Sequence, residues 1–524
     1  MTDVSRRAPD VTGTMLFVTV AIDKCLIRVQ ATVTLHRISH LVSLILVCFP
    51  FTAVGLQAES ANHPNILVLC VDDLRPELNC YGVDYIHSPN IDRLAKSGVM
   101  FSRHYVQSPS CGPSRFAMLT GRYDSQPAKG NASLLIRAEQ IRTGKKVPDS
   151  MPAWFRKQGY RTVSVGKVSH HPGGLAGKRW KDPAKTEMPN SWDRHLCPVG
   201  PWQDPEGVMH GLANGSIRLQ EGRYTDRTES DITLFESVEG PAQTYPDGLI
   251  VDEGLKQLNE LWEQKDQQPF MLYVGVIRPH LPFGAPTRHF DLYAGKKLPP
   301  VPHFEKPVGK TTWHRSGEFM KYRRAGKDPR EDSEFNDVVR KHYAACVSYA
   351  DANVGRILDR LDQLDPEQET IVVLWGDHGF HLGEHHIWGK HCLFEESLRS
   401  PLIIRSPKMK NAGSQSDAIT ESVDIFPTLC ELAGLETPGV LSGDSLMNQA
   451  ADPAAKGRPA ISYRKNMRTI RTEQYRMIVH GDGEFFELYD HDSKAGESKN
   501  IAESNPEIVS KLREQMKTRL ARKP

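Results

Sequence analysis

Short, wholly apolar runs alternate with amphipathic stretches through the middle of this chain. Asn65-Ile-Leu-Val-Leu-Cys-Val71 is the clearest run, and Thr162–Val165, Phe270–Val276, Thr370–Trp375 and Pro401–Ile404 repeat its character. Runs of this length, apolar at successive positions and partly β-branched, are strands buried on both faces. The intervening stretches 90–97, 150–158, 247–264, 337–364 and 422–433 carry the helical period instead. Strands alternating with helices predict an α/β fold, a mostly parallel sheet sandwiched by helices, over residues 62–440. Pro438, Gly439 and Gly443 mark a linker. Beyond it, Met467–Arg471, Tyr475–Val479 and Phe485–Tyr489 read as antiparallel strands, with a helix from Pro506 to Leu520 packed on them. Residues 441–524 are therefore expected to form a smaller C-terminal α+β subdomain. The stretches 177–244 and 281–332 are polar and irregular, and their length suits surface insertions that shape a pocket rim.

The N-terminus adds an address. Arg37 and His40 precede an apolar run from Leu41, and small residues follow to Ala58. A span needs about 20 apolar residues, so this shorter, interrupted run predicts a signal peptide over 1–58 rather than a stable membrane span. Export to a periplasmic, secreted or lysosome-like compartment follows. Net charge is +2, and Lys and Arg are scattered rather than clustered, which argues against a nucleic-acid partner. Nine cysteines without a CxxC pair make neither a disulfide framework nor a zinc site.

Chemistry gathers just past the strands. The first run leads into Asp72-Asp73, the second into Gly166-Lys167 and His170-His171, the third into Arg278-Pro279-His280, and the fourth into Gly376-Asp377-His378-Gly379. Ligands of open parallel sheets bind at these carboxyl ends. Adjacent aspartates repel when buried, and a cation is their simplest compensation. Asp72, Asp73 and Asp377, with His378, supply donors for a hard divalent ion. Cys111 opens a predicted helix that ends at Gly121, so it stands in the positive potential of a helix N-terminus, with Arg115 on the first turn. On these residues alone Cys111 is open to two further readings, a thiol-protease nucleophile or plain core. A thiol protease has no use for a neighbouring acidic metal cluster. Lys167, His170, His280 and Lys390, with His381, His385, His386 and His391 nearby in sequence, add cations and proton donors. Together they describe a site for a tetrahedral oxyanion ester.

Cys111-Gly-Pro-Ser-Arg115 followed by Leu119-Thr-Gly-Arg122 resembles the signature of the type I, formylglycine-dependent sulfatases. Val71-Asp-Asp-Leu-Arg-Pro76, Ser88-Pro-Asn-Ile-Asp92, Ser164-Val-Gly-Lys-Val168, Arg278-Pro-His-Leu-Pro-Phe283 and Gly376-Asp-His-Gly379 resemble the iduronate-2-sulfatase branch, in which a His follows the Asp where most sulfatases carry Asn. The resemblance implies an alkaline-phosphatase-like fold and conversion of Cys111 to formylglycine (3-oxoalanine) by a formylglycine-generating enzyme. It implies one Ca2+ held by Asp72, Asp73, Asp377, His378 and residue 111. By the same resemblance Arg115 and Lys167 stabilise the hydrated aldehyde, His280 and Lys390 bind sulfate and assist the leaving alcohol, and His170 lies at the same site. The implied substrate is a sulfated carbohydrate, with the 2-O-sulfate of iduronate or another uronate first in line. A phosphodiesterase or phosphonate hydrolase on the same scaffold, and a non-catalytic sulfoglycan-binding protein, are the alternatives. Arg278 departs from the more common Lys, and 177–244 matches the family poorly.

Overall fold

The structure, a computed structural model, describes residues 63–215, 233–452, 454–481 and 483–521. The leader expected over 1–58 lies outside them. Glu59–Pro524 forms one compact unit, and among the described residues no helix is long and apolar enough to cross a membrane.

Its centre is an eight-stranded sheet. In chain order the strands are β1 (Ile66–Val71), β2 (Val99–Tyr105), β3 (Arg161–Gly166), β4 (Arg194–Leu196), β5 (Phe270–Val276), β6 (Ile371–Gly376), β7 (Leu402–Arg405) and β8 (Gln415–Glu421). They lie side by side as β8-β2-β7-β6-β1-β5-β3-β4. β1 is central, paired in parallel with β6 and β5. β7 alone is reversed, antiparallel to both β6 and β2.

The apolar runs are continuous because both faces of the sheet are covered. Leu67, Leu69 and Val71 of β1 belong to one core cluster and Ile66, Val68 and Cys70 to the other. β5 divides the same way, Leu272, Val274 and Val276 against Met271 and Tyr273. The first face takes helices α1 (Pro89–Ser97), α5 (Pro246–Trp262) and α6 (Ser333–Leu364), through Ile91, Leu94, Ile250, Leu258, Val339 and Ile357. The second takes α2 (Cys111–Thr120), α4 (Met151–Lys157) and α7 (Ile425–Ala433), through Met118, Leu119, Met151, Phe155, Phe426 and Leu429. Helix α3 (Ser133–Arg142) packs beside α2. The helix expected from 337 begins earlier, because Asp332 caps it by accepting the Phe335 N–H at 2.9 Å.

The C-terminal module has one strand more than its pattern suggests. β9 (Ala460–Arg464) joins β10 (Met467–Arg471), β11 (Tyr475–His480) and β12 (Phe485–Asp490) in an antiparallel sheet. Helix α8 (Pro506–Ala521) covers it with Leu512 and Met516. Ile478 and Tyr489 of this sheet share a core cluster with Tyr105, Ile387 and Leu398, so the module is seated against the larger sheet through apolar contact. The irregular 177–244 stretch is also anchored: Trp202 is fully buried and its Nε1–H donates to the Leu212 carbonyl at 2.8 Å.

Candidate active site

Parallel pairing of β1 with β6 puts Val71 opposite Gly376, so Asp72-Asp73 and Asp377-His378 emerge side by side. The Asp73 N–H donates to Asp377 Oδ1 at 2.9 Å. Asp73 holds a left-handed φ of 58°, which turns its side chain away from the strand direction of Asp72. Both aspartates are fully buried, as are Asp377 and His378.

Helix α2 points its N-terminus at this cluster. Asn131 Oδ1 accepts the Gly112 N–H at 3.1 Å, and a Cβ on Gly112 would lie 2.5 Å from Asn131 Cα, so that position excludes a side chain. Ser114 Oγ donates to the Asp377 carbonyl. Arg115 ties the strand ends together: Nε donates to Asp377 Oδ2 at 3.0 Å, Nη2 to Asp72 Oδ1 at 3.1 Å, and Nη1 to the carbonyls of Lys167 (2.6 Å) and Val168 (3.0 Å). Cys111 itself is 4% exposed. Its Sγ lies 3.4 Å from His378 Nε2, 3.5 Å from Lys390 Nζ and 3.6 Å from Lys167 Nζ.

The lysines are each matched to one aspartate. Lys167 Nζ donates to Asp72 Oδ2, and Lys390 Nζ to Asp73 at 2.7 and 2.9 Å. Burial opposes the ionisation of Asp72, yet Lys167 and Arg115 outweigh it and hold its carboxyl well below the usual range. Asp73 goes the other way: burial, with Asp72 and Asp377 as like charges, pushes it well above that range despite Lys390. Asp377 rises to about 6, from burial first and then Asp72. The protein's own cations therefore leave part of the acidic charge uncompensated.

His378 carries the test of whether a cation fits. Its Nδ1 lies 2.9 Å from the Gly379 carbonyl, so the N–H is spent there and Nε2 presents a lone pair. Burial, then Lys390, keeps the ring neutral. That lone pair faces Asp73 Oδ1 at 3.2 Å and Asp377 Oδ2 at 3.7 Å. A lone pair aimed at two carboxylates repels them unless positive charge stands between. Donor atoms of Asp72, Asp377, His378 and Cys111 all lie within 4.8 Å of one another, as do those of Asp72, Asp73, Cys111 and His280. The donor set fits a hard divalent ion with a nitrogen ligand.

The remaining sequence-predicted residues divide. His280 reaches the cluster: its Nδ1 is 2.6 Å from the Leu281 carbonyl, and Nε2 is 4.0 Å from Asp73 Oδ2. Burial, then Lys390, holds its pKa well below the usual value. His170 has a buried Nδ1 with no hydrogen-bond partner, and burial brings its pKa down to about 3. His171 is engaged elsewhere, with Nδ1 2.9 Å from Glu187 Oε1 and its ring edge-on to Trp180 at 4.7 Å. The neighbouring Glu187 carboxylate is what separates the two rings. His381 and His385 do not join; they surround Glu396, at 3.3 and 3.8 Å. His386 Nε2 lies 3.3 Å from the Arg330 carbonyl. Arg278 is a strut, bonding through its guanidinium to the carbonyls of Gly284, His280 and Gly211.

Glu318, which no sequence pattern marks, stands at the rim. Its carboxylate is 3.1 Å from His391 Nε2 and 4.0 Å from both Lys390 Nζ and His280 Nε2. It comes from the irregular 281–332 stretch, where neither period nor motif singles out one acid.

Two buried lysines beside residue 111 suit an ester whose acid part is a tetrahedral oxyanion, and a site of this kind at the strand ends of such a sandwich is that of the alkaline-phosphatase-like hydrolases. Within it the chain belongs to the sulfatase family: the family model described as Sulfatase matches residues 64–435. A second model, N-sulphoglucosamine sulphohydrolase, C-terminal, matches 383–523. A sulfatase of Formosa agariphila is 30% identical, covering 87% of this chain and 86% of its own length. Mouse iduronate 2-sulfatase is 31% identical over 75% of this chain and 72% of its own, so the resemblance to that branch extends well beyond the signature. Among solved structures, the phosphonate monoester hydrolase of Silicibacter pomeroyi shares the fold at TM-score 0.66 and 23% identity, over 88% of this chain and 96% of its own. An enzyme in complex with D-glucosamine-2-N,6-O-disulfate shares it at TM-score 0.62 and 23% identity, over 88% and 99%. The protein is a sulfatase, and the family uses formylglycine and a divalent metal.

Proposed function

We propose that this sulfatase removes the 2-O-sulfate of iduronate, or of a related uronate, from glycosaminoglycan-type saccharides after export, with residue 111 as formylglycine and Ca2+ as its ion. The observation that carries the site reading is the His378 Nε2 lone pair directed at the carboxylates beside Cys111. The substrate reading draws on the mouse and human iduronate 2-sulfatases, 31% and 30% identical to this chain.

Cys111 Sγ occupies the position from which the modified side chain acts. Converted to formylglycine, residue 111 supplies a hydrated aldehyde, one hydroxyl to attack sulfur and a second whose deprotonation later expels sulfate. Asp72, Asp73, Asp377 and His378 would hold the divalent ion, which would supply positive charge to the site. Arg115, locked by its carbonyl and carboxylate bonds, fixes the ligands' orientation without reaching for substrate. Lys167 and Lys390, each beside Sγ, place charge where the sulfuryl oxygens gather it. Burial works against the Lys390 charge, but Asp73 and Glu318 hold its pKa well above the ordinary value, so it arrives protonated to serve the departing sugar oxygen. His280 is neutral with its Nδ1–H on the Leu281 carbonyl, so its Nε2 is the acceptor for a proton. His170, whose Nδ1 makes no hydrogen bond, is the further histidine assigned to the substrate side of this site.

A panel of 2-O-sulfated uronate oligosaccharides against 6-O- and N-sulfated ones tests the substrate. Preference for 6-O- or N-sulfates overturns the iduronate assignment and leaves the sulfatase standing. The shared fold with a phosphonate monoester hydrolase makes an aryl phosphonate the comparison substrate; faster turnover of it than of any sulfate ester would replace the proposal. Peptide mass spectrometry after co-expression with the maturation enzyme checks residue 111, and an unmodified thiol there favours a sulfoglycan-binding role.

A further inference from the structure

A cavity of about 130 Å³ lies between the C-terminal half of α2 and helix α3, bounded by Phe116, Thr120, Arg122, Gln126, Arg137 and Gln140. Arg137 is 7% exposed, and its Nη2 donates to the Pro148 carbonyl at 2.8 Å, while Nη1 is buried with no partner. Arg122, from the turn after α2, is half-buried and makes no hydrogen bond or ion pair with the described residues. Burial brings the Arg137 pKa down to about 10, with Asp149 opposing and Arg122 adding repulsion. Asp124 also lines the cavity, its carboxylate accepting from the Gln126 N–H at 2.8 Å and from Ser133 Oγ, while Asp149 holds Lys157 Nζ at 2.7 and 2.8 Å. Two guanidiniums thus face one cavity, and neither is hydrogen-bonded to a carboxylate among the described residues, although a buried cation calls for such a partner.

We propose that this cavity binds a small oxyanion, sulfate above all, between the guanidiniums of Arg122 and Arg137. Planar guanidinium forks match sulfate oxygens, and the side-chain amides of Gln126 and Gln140 supply further donors. At 1.5 Å rise per helical residue, the lining from Phe116 to Thr120 lies roughly 8 to 14 Å along α2 from residue 111, so the anion is a second one, separate from that at the Cys111 site. It is a free sulfate ion or a sulfate group on a neighbouring sugar of the polymer. The inference does not rest on the chemistry assigned to residue 111.

Equilibrium dialysis of the full chain with labelled inorganic sulfate, ionic strength held by chloride, counts the sites. One sulfate fewer per chain in R122Q/R137Q than in the wild type, with the Arg-dependent sulfate retained in K390A, is the expected result. Equal counts in wild type and R122Q/R137Q overturn the proposal. Because R137Q also removes the bond to Pro148, R122Q is measured alone. Its affinity for the second sulfate falls about tenfold, and in the absence of sulfate its melting temperature holds or rises, since one of two repelling charges is gone. A lower melting temperature with undiminished sulfate affinity makes Arg122 a packing residue and sinks the idea. Sulfated oligosaccharides then separate the sources. If KM rises in R122Q for a hexasaccharide and not for a disaccharide, the anion belongs to the polymer; if neither KM moves while sulfate binding is lost, it is the free ion.

Discussion

Two buried cysteines sit a short way apart in this molecule among similar neighbours, and ordinary thiol chemistry favours the wrong one. Cys392 lies 3.7 Å from His381 Nε2 and 3.3 Å from Ser397 Oγ. Burial works against its thiolate, but His381 and His314 draw its pKa well below the usual value. His381 rises in turn: burial opposes, Cys392 and Glu396 prevail. Cys111, despite two lysines within 3.6 Å, is pushed well above the usual value, by burial first and Asp72 second. A protein that needed a thiolate nucleophile at residue 111 would not surround it with carboxylates. The Cys392 thiol is matched to His381 and Ser397. The Cys111 thiol instead has two lysines and the His378 lone pair gathered on it beside three carboxylates.

The comparison can be broken most decisively by exchange of nucleophiles. Cys111→Ala should lower sulfatase turnover at least about 1,000-fold, while Cys392→Ala keeps kcat within a few-fold; the reverse ranking, with both variants folded by circular dichroism, would falsify it. Next in size is the metal. Chelation should remove close to all activity, and elemental analysis should find one divalent ion per chain in the wild type and less in Asp73→Asn, with Glu396→Gln unaffected. Lys390→Ala should cost about 100-fold in kcat, whereas His381→Gln should move the melting temperature more than kcat. The smallest effect concerns a buried ion pair made by the same 377–401 stretch. Glu384 is 2.9 Å from Arg75 Nη2; burial opposes its ionisation, yet Arg75 brings its pKa to about 2 from 4.5. A lowered carboxylate pKa contributes stability above the unfolded value that is lost as pH falls toward the folded one, here between about 4.5 and 2. A few kcal/mol should go in that window, and Glu384→Gln should flatten this acid limb in urea titrations. A limb of equal steepness in the variant assigns it to other groups.

What the sequence reveals follows what each residue is for. β1, β3, β5 and β6 are legible because two-sided burial makes them apolar throughout, and the residues after them are legible because chemistry there needs unusual types. β2 is buried too, yet Val99-Met-Phe-Ser-Arg-His-Tyr105 hides it with polar residues that find partners only in the fold: His104 lies near Ser400 through Nδ1 and Ser422 through Nε2, each at 3.1 Å. β8 is a polar edge strand with a register shift between Ser416 and Ile419, and carries no clean alternation. Of the histidines after β6, His381 and His385 match the site in type and nearness along the chain but not in space. Glu318 does the opposite, arriving from a distant irregular stretch. Side-chain type is local information; convergence on one point is not.

The reversed strand β7 has a topological consequence. Parallel neighbours must be joined by a crossover that carries the chain back to the opposite edge of the sheet, usually through a helix. Because β7 runs against β6, the chain leaves β6 and re-enters the sheet at the same edge, and residues 377–401 owe nothing to the return journey. The stretch that supplies Asp377, His378, Lys390 and His391 is free to loop over the strand ends for its whole length. One inverted strand thus turns connecting chain into working chain, and it lets insertions there reshape the pocket without disturbing the order of the sheet.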